Sequence, residues 1–416
     1  MTEAARDREQ DLLVRVLHQL PVDPNRDASA DAVDWERLRR VAGPALAPYL
    51  VAGLERAQLL SRVPSDVRDQ LTAVRRANGM AHLLRLRALR GALAALDGAG
   101  IQVIVLKGMA LAHLVYPDPT LRPMQDIDLW VPPDRLDHAA DALRGAGFRF
   151  PRRTYEGLWT PGARTATVDR ALELPDTPIL FELHGSLPSW GGLPNRVSET
   201  AWARARELRI DDLHTRVLAP EDQLLHLGLH LSKRHLFRAG LISLVDLQLV
   251  LGHWRDHWDW NALVDDYRSL GIGTWMRLAL QLTRDLVGAA VPDAVIAALP
   301  EPEHWHELEH LALEQLWNAG SFVPHALERL IGATQGPNRV TWARNRLLTY
   351  VRGNPWEVGR RLWFDVALKV PRYARLWMRG ELRGPRFREH VRLARQRARL
   401  EALVAGAERA WAARNG

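Results

Sequence analysis

The chain has 416 residues, 47% hydrophobic and 25% charged, the composition of a soluble globular protein with core enough for two or three domains. It has no cysteine, which excludes disulfides, thiolate metal sites and thiol nucleophiles. Its formal charge of +7 gathers at the end: residues 359–416 hold 15 Lys or Arg against 5 Asp or Glu, so the rest of the chain is slightly acidic.

The first ten residues alternate charges, which does not read as a signal peptide. No apolar run approaches the roughly 20 residues of a membrane span. The expectation is a soluble, cytoplasmic protein. Apolar spacing then predicts helices over 11–20, 34–60 and 67–98, with breaks at Pro21, Pro24, Pro44 and Pro64 and a stop at Asp97-Gly98-Ala99-Gly100. The character changes at the β-branched run 101–106, a short strand. Lys107-Gly108 makes a turn, 109–115 a short helix, 116–120 a loop and 124–131 a second strand closed by Pro132-Pro133. A helix over 134–147, weak strands around 163–174 and a firmer strand over 179–184 follow. Helical spacing returns over 221–236, 241–253, 260–270 and 274–287, where Trp254, Trp258, Trp260 and Trp275 are read as gap-fillers between helices.

This order predicts an α+β protein, mostly α, with a small sheet domain flanked by helical regions. The expected divisions are a helical region 1–98, the sheet core 99–215, a helical domain 216–358 and a basic helical tail 359–416.

The chemistry concentrates on Gln125-Asp-Ile-Asp-Leu-Trp-Val131. In a strand, Asp126 and Asp128 project from one face while Ile127 and Leu129 point to the other. Two carboxylates so placed repel each other unless a cation lies between them, and hard oxygen ligands suit Mg2+ or Mn2+. Such ions serve phosphoryl transfer. Glu182, in the apolar strand Ile179-Leu-Phe-Glu-Leu-His184, is the expected third carboxylate, with His184 on the same face. All but three of the 56 basic residues are arginine, so Lys107 stands out as a compact ammonium beside this motif. Lys107 and Gly108 open a helix after a strand, where backbone N–H groups receive phosphate, and Arg122 is a second phosphate candidate.

The segment Leu106-Lys-Gly-Met-Ala-Leu-Ala-His-Leu-Val-Tyr-Pro-Asp-Pro-Thr-Leu-Arg-Pro-Met-Gln-Asp-Ile-Asp-Leu129 closely resembles a bacterial uncharacterised nucleotidyltransferase family of the polymerase-β superfamily. Phe181-Glu-Leu-His184, Leu225-His-Leu-Gly-Leu-His230 and Leu244-Val-Asp-Leu247 resemble further parts of it, so the likeness spans about 80–290. The resemblance implies a mixed-sheet nucleotidyltransferase core, an NTP substrate (ATP foremost), Mg2+ or Mn2+, and transfer of a nucleoside monophosphate with release of pyrophosphate. Asp126 and Asp128 would hold the metals, and Glu182 would complete the site or activate the acceptor hydroxyl. One departure is Gly108-Met109, where the superfamily carries Gly-Ser or Gly-Gly. The acceptor is then a small molecule or a peptide. The alternative is a catalytically silent nucleotide-binding or scaffold protein.

Two further patterns carry less. His226 and His230 share a helical face and with Asp246 could bind metal, though packing explains them better. The segment 360–379 mixes aromatics and cations, which suits a membrane surface or nucleic acid, or a terminal helix packing its Leu and Trp face.

Overall fold

In the computed structural model the middle of the chain forms one mixed sheet of six strands, and the other described residues are predominantly helical, an α+β fold that is mostly α. The structure describes residues 8–18, 33–149, 169–175, 177, 179–187, 190–318 and 384–415. The breaks at Pro21 and Pro24, the beginning of the 163–174 strand stretch and the segment 360–379 lie outside the described residues.

Three helices precede the sheet: α1 (Arg8–Leu17), α2 (Trp35–Arg56) and α3 (Ser65–Gly98). Asp34 caps α2, its Oδ1 accepting the Arg37 N–H at 2.8 Å. Within α2 the expected break falls at Gly43, whose φ of +61° suits only glycine comfortably. Pro44 follows directly and has no N–H to continue the ladder, so the helix bends there.

The strands are β1 (Ile104–Val105), β2 (Asp126–Trp130), β3 (Asp169–Glu173), β4 (Leu180–His184), β5 (Arg206–Ile210) and β6 (Leu213–Val217), in the order β3-β4-β2-β1-β6-β5. β4 runs parallel to β2 and β6 parallel to β1, while the other neighbours are antiparallel. Helices α4 (Lys107–Leu114), α5 (Leu136–Gly145) and α6 (Asn195–Ala203) lie between strands in the chain. Period-two alternation divides the sheet's faces. Ile127, Leu129, Phe181 and Leu183 enter one core with Leu89, Leu96 of α3 and Ala139, Leu143 of α5. Asp126, Asp128, Glu182 and His184 take the opposite phase of the same two strands.

The hairpin β5–β6 was not among the expected strands. Its signal is present: Leu208 and Ile210 alternate against Leu213, Thr215 and Val217 across Asp211-Asp212. Asp211 turns the chain with φ +53°, a conformation aspartate tolerates better than most residues. Charged residues at the alternate positions, Glu207, Arg209 and Arg216, and Arg206 at the start of the first strand conceal the pattern from a hydrophobicity reading.

Beyond the sheet lie α7 (Pro220–Leu229), α8 (Leu241–His253), α9 (Trp260–Ser269), α10 (Gly273–Val287) and α11 (Asp293–Ala298). The helix expected over 221–236 is interrupted: α7 ends at Leu229 and passes into a π-turn, His230–Arg234, before Leu236 and Phe237 adopt φ of +47° and +64°. Of the four tryptophans assigned to the core, Trp275 is buried, but Trp254, Trp258 and Trp260 are only half-buried and meet one another at ring distances of 6.4 and 5.9 Å.

The chain divides into two compact units, Met1–Glu301 and Pro302–Gly416. In the second, α12 (Trp305–Trp317) packs against α13 (Gly384–Asn415). Leu393, Ala394, Leu400 and Val404 are buried along α13. Arg392 pairs with Glu314 at 2.6 Å and Arg399 with Glu307 at 2.8 Å, so part of the tail's positive charge is matched within its own unit. Among the described residues no helix is long and apolar enough to cross a membrane.

Candidate functional site

Parallel pairing of β2 and β4 sets Asp128 beside Glu182 and Trp130 beside His184. On these adjacent strands, Asp128, Glu182 and His184 bring one ligand atom each to within 4.8 Å of the others, a group able to hold a cation among the described residues. His184 Nε2 lies 2.8 Å from Asp128 Oδ1 and 3.7 Å from Glu182 Oε2. Asp128 and His184 are buried, with side-chain exposures of 3% and 2%, whereas Glu182 is 31% exposed. The closed side of the site is therefore formed by Asp128 and His184, and Glu182 opens toward solvent. Asp126 precedes Asp128 on the same face, half-buried and outside the group of three, yet close enough to act on its charge.

Lys107 supplies the opposing charge. Its Nζ donates to Asp128 Oδ1 at 2.7 Å. The backbone delivers it there by a turn at the end of β1, with Lys107 at φ +44°, a strained conformation for a residue with a side chain. Gly108 follows because α4 approaches the segment leading into β2: a Cβ at Gly108 would meet Met124 Cβ at 3.0 Å. Lys107 is thus turned toward the carboxylates.

The charges are unevenly matched. Burial and the adjacent Asp128 raise the Asp126 carboxyl above its ordinary range. Burial would raise Asp128 as well, but Lys107 and His184 outweigh it and hold that carboxyl well below the usual range. Burial, then Asp128 and Asp126, push Glu182 up to about 7. Burial alone would lower the Lys107 ammonium; Asp128, Asp126 and Glu182 reverse that and raise it. Three carboxyl groups share one ammonium, and the last of them does not ionise fully at neutral pH.

Arg122 feels the Asp126 charge, but its own hydrogen bonds go to a different carboxylate. Its Nε and one terminal nitrogen donate to the two carboxylate oxygens of Asp246, both at 2.7 Å, and its other nitrogen donates to the Pro123 carbonyl. Tyr116 adds a hydroxyl donor to Asp246 at 2.7 Å. Asp246 is therefore engaged by α8's contact with the loop before β2. His226 and His230 have their rings 5.8 Å apart, and the nearest partner of His230 is His235, with Nε2 atoms 3.1 Å apart. Burial, followed by the Lys107 charge, lowers His226 and His235 to about 3 and His230 well below its ordinary value. These imidazoles are neutral at physiological pH. The His230–His235 pair was not anticipated, because the π-turn that folds residue 235 back onto residue 230 has no signature in apolar spacing.

No curated protein and no solved structure matches the chain significantly. A family model described as uncharacterised nucleotidyltransferase does match, over residues 31–288, a span containing every residue of the acidic site, and the chain therefore belongs to that family.

Proposed function

We propose that the chain transfers a nucleoside monophosphate from an NTP to a small-molecule or peptide acceptor, with release of pyrophosphate, at the Asp126, Asp128, Glu182 site. The observation that carries this reading is the meeting of Asp128, Glu182 and His184 within 4.8 Å on paired strands of a chain in a nucleotidyltransferase family. A sheet of this kind fits the polymerase-β superfamily, with 99–215 as its catalytic core.

The donor set is suited to a divalent cation. Clustered carboxylates with no sulfur favour a hard ion, Mg2+ or Mn2+, and the His184 nitrogen favours Mn2+ of the two. An excess of negative charge, with Glu182 raised to about 7, is what a cation would relieve. Asp128, Glu182 and His184 would hold it, with Asp126 contributing a further carboxylate for a second ion. When bound, such ions neutralise charge on the transferring phosphoryl group.

The chain's own residues then have distinct tasks. Asp128, kept ionised by Lys107 and His184, is a fixed ligand whose geometry does not depend on pH near neutrality. Lys107 holds that carboxylate by its 2.7 Å hydrogen bond and offers positive charge to the polyphosphate. In the transfer, an acceptor oxygen forms a bond to the α-phosphorus, the bond from that phosphorus to the bridging oxygen breaks, and pyrophosphate departs. The acceptor's proton passes to a Glu182 carboxylate oxygen that is not engaged by the cation, on the solvent-facing side of the site. An enzyme consuming NTP would work in the cytoplasm.

The test is pyrophosphate release from each of the four NTPs with Mg2+ or Mn2+ and a cell extract as acceptor source, using wild type and Asp128→Asn. Release that disappears in the variant supports the reading. Metal-dependent NTP binding that persists unchanged in Asp128→Asn would overturn the assigned site.

A further inference from the structure

Among the described residues, Asp126 acts on three cations, Lys107, Arg122 and Arg85, and two of them are engaged. Lys107 is hydrogen-bonded to Asp128, and Arg122 is held at two points by Asp246. The third is Arg85. Residues 78, 82, 85 and 89 recur at four- and three-residue intervals and so line one face of α3. Asn78 on that face donates to the Thr120 carbonyl at 2.5 Å, His82 Nε2 meets His113 Nε2 at 3.1 Å, and Leu89 is part of the sheet's core. Arg85 therefore shares the packed face of α3, half-buried with its Nε sealed, and Asp126 is the carboxylate whose charge acts on it.

Its donors are unused. The Arg85 Nε is sealed from solvent and has no hydrogen-bond partner, and among the described residues the guanidinium makes no hydrogen bond or ion pair. The sealed Nε–H is a buried donor without an acceptor, which is costly, and an acceptor reaching it would recover that cost. Asp126 contributes long-range attraction without a direct contact. An acceptor that fits must be anionic, rich in oxygen and drawn to the same place as the carboxylate-bound cation, and a polyphosphate meets all three conditions.

We infer that Arg85 is a polyphosphate-binding residue of this site, its planar fork receiving phosphate oxygens of the NTP on the side of Asp126. The inference rests on the nucleotidyl-transfer reading above. It gives the site an arginine from the helical region that precedes the sheet core, so that region contributes to the substrate site as well as to the hydrophobic core.

The experiment is calorimetric titration of inorganic tripolyphosphate and of the four NTPs with Mg2+ into wild type, Arg85→Gln, Arg85→Lys and Asp128→Asn. Arg85→Gln should weaken tripolyphosphate about 10- to 100-fold, with Arg85→Lys in between, because lysine keeps the charge but not the fork. Wild-type affinity in Arg85→Gln, with binding lost in Asp128→Asn, would overturn the Arg85 assignment and leave the transferase reading standing. Absence of NTP and tripolyphosphate binding in the wild type would remove both. Phenylglyoxal labelling of the wild type, read by mass spectrometry, does not depend on any variant folding. Arg85 should react in the ligand-free protein and be protected by tripolyphosphate with Mg2+. Reaction undiminished at saturating tripolyphosphate, or no reaction at all, overturns the inference.

Discussion

Two of the aspartates buried beside cations, Asp246 and Asp128, stand in sites built on opposite principles. Asp246 accepts two hydrogen bonds from Arg122 and one from Tyr116, all at 2.7 Å, in a one-to-one pairing of charges. Asp128 accepts from Lys107 and lies against His184, but Asp126 and Glu182 crowd the same ammonium. The first arrangement is complete as it stands and joins α8 to the loop that leads into β2. The second carries surplus negative charge and strained backbone at Lys107, features that a purely structural ion pair does not need. Saturation of donors and acceptors, more than burial, separates a carboxylate that holds the fold from one that awaits a ligand.

The contrast breaks down if the two aspartates respond alike to substitution. Asp128→Asn is expected to lower pyrophosphate release by about 1,000-fold or more, on the scale of losing an electrostatic anchor of the transition state, with a smaller loss of stability than at Asp246, because Asp126 and Glu182 remain to offset the Lys107 ammonium. Asp246→Asn should do the reverse in kind. It leaves the Arg122 charge buried and poorly compensated, with a loss of about 3–5 kcal/mol in denaturant unfolding. Replacing both partners by apolar residues, Arg122→Met with Asp246→Leu, should recover most of that loss. Equal destabilisation by the single and double replacements would mean that Arg122 and Asp246 do not act as a pair.

The surplus charge also predicts a pH dependence confined to the first site. Glu182 has a folded value of about 7, above the ordinary glutamate value of 4.5. A carboxyl group raised on folding lends stability that is fully present below 4.5 and is lost as pH rises toward 7. In the metal-free protein, Glu182→Gln should therefore be more stable than wild type at pH 8, by roughly 1–3 kcal/mol after allowance for its partial exposure, and no more stable at pH 4. Added Mn2+ should reverse the order at pH 8, which calorimetric melting would register. The smallest effect is at the saturated site. Tyr116→Phe removes one of three hydrogen bonds to Asp246, and about 1 kcal/mol of stability should go with it, leaving nucleotide binding unchanged.

Several elements were legible because local rules and tertiary demands agree. The break at Gly43-Pro44, the stop at Gly98, the strand around Asp126-Ile-Asp128 and helices such as Leu241–His253 follow from proline, glycine and apolar period alone. The pairing of Asp126, Asp128 and Glu182 on one face was likewise readable, since alternation along each strand sets which side a residue takes. Where local and tertiary demands diverge, the reading stopped. The hairpin Arg206–Ile210 with Leu213–Val217 hides behind charged alternate positions, and Trp254, Trp258 and Trp260 look like core but sit half-buried at the end of α8 and the start of α9.

By itself the sequence determined the family, the mostly helical α+β class, and the acidic residues on two apolar strands, because these depend on spacing and residue type. Only the tertiary structure decided how charges pair across long separations. Arg122 and Asp246 are 124 positions apart, Lys107 and Asp128 are 21, and Arg85, on a helix that ends before the sheet begins, feels the charge of Asp126. Electrostatic and hydrogen-bond partners are chosen by distance in space, and at these separations the chain's local pattern carries no record of which arginine will find a carboxylate and which will be left with open donors.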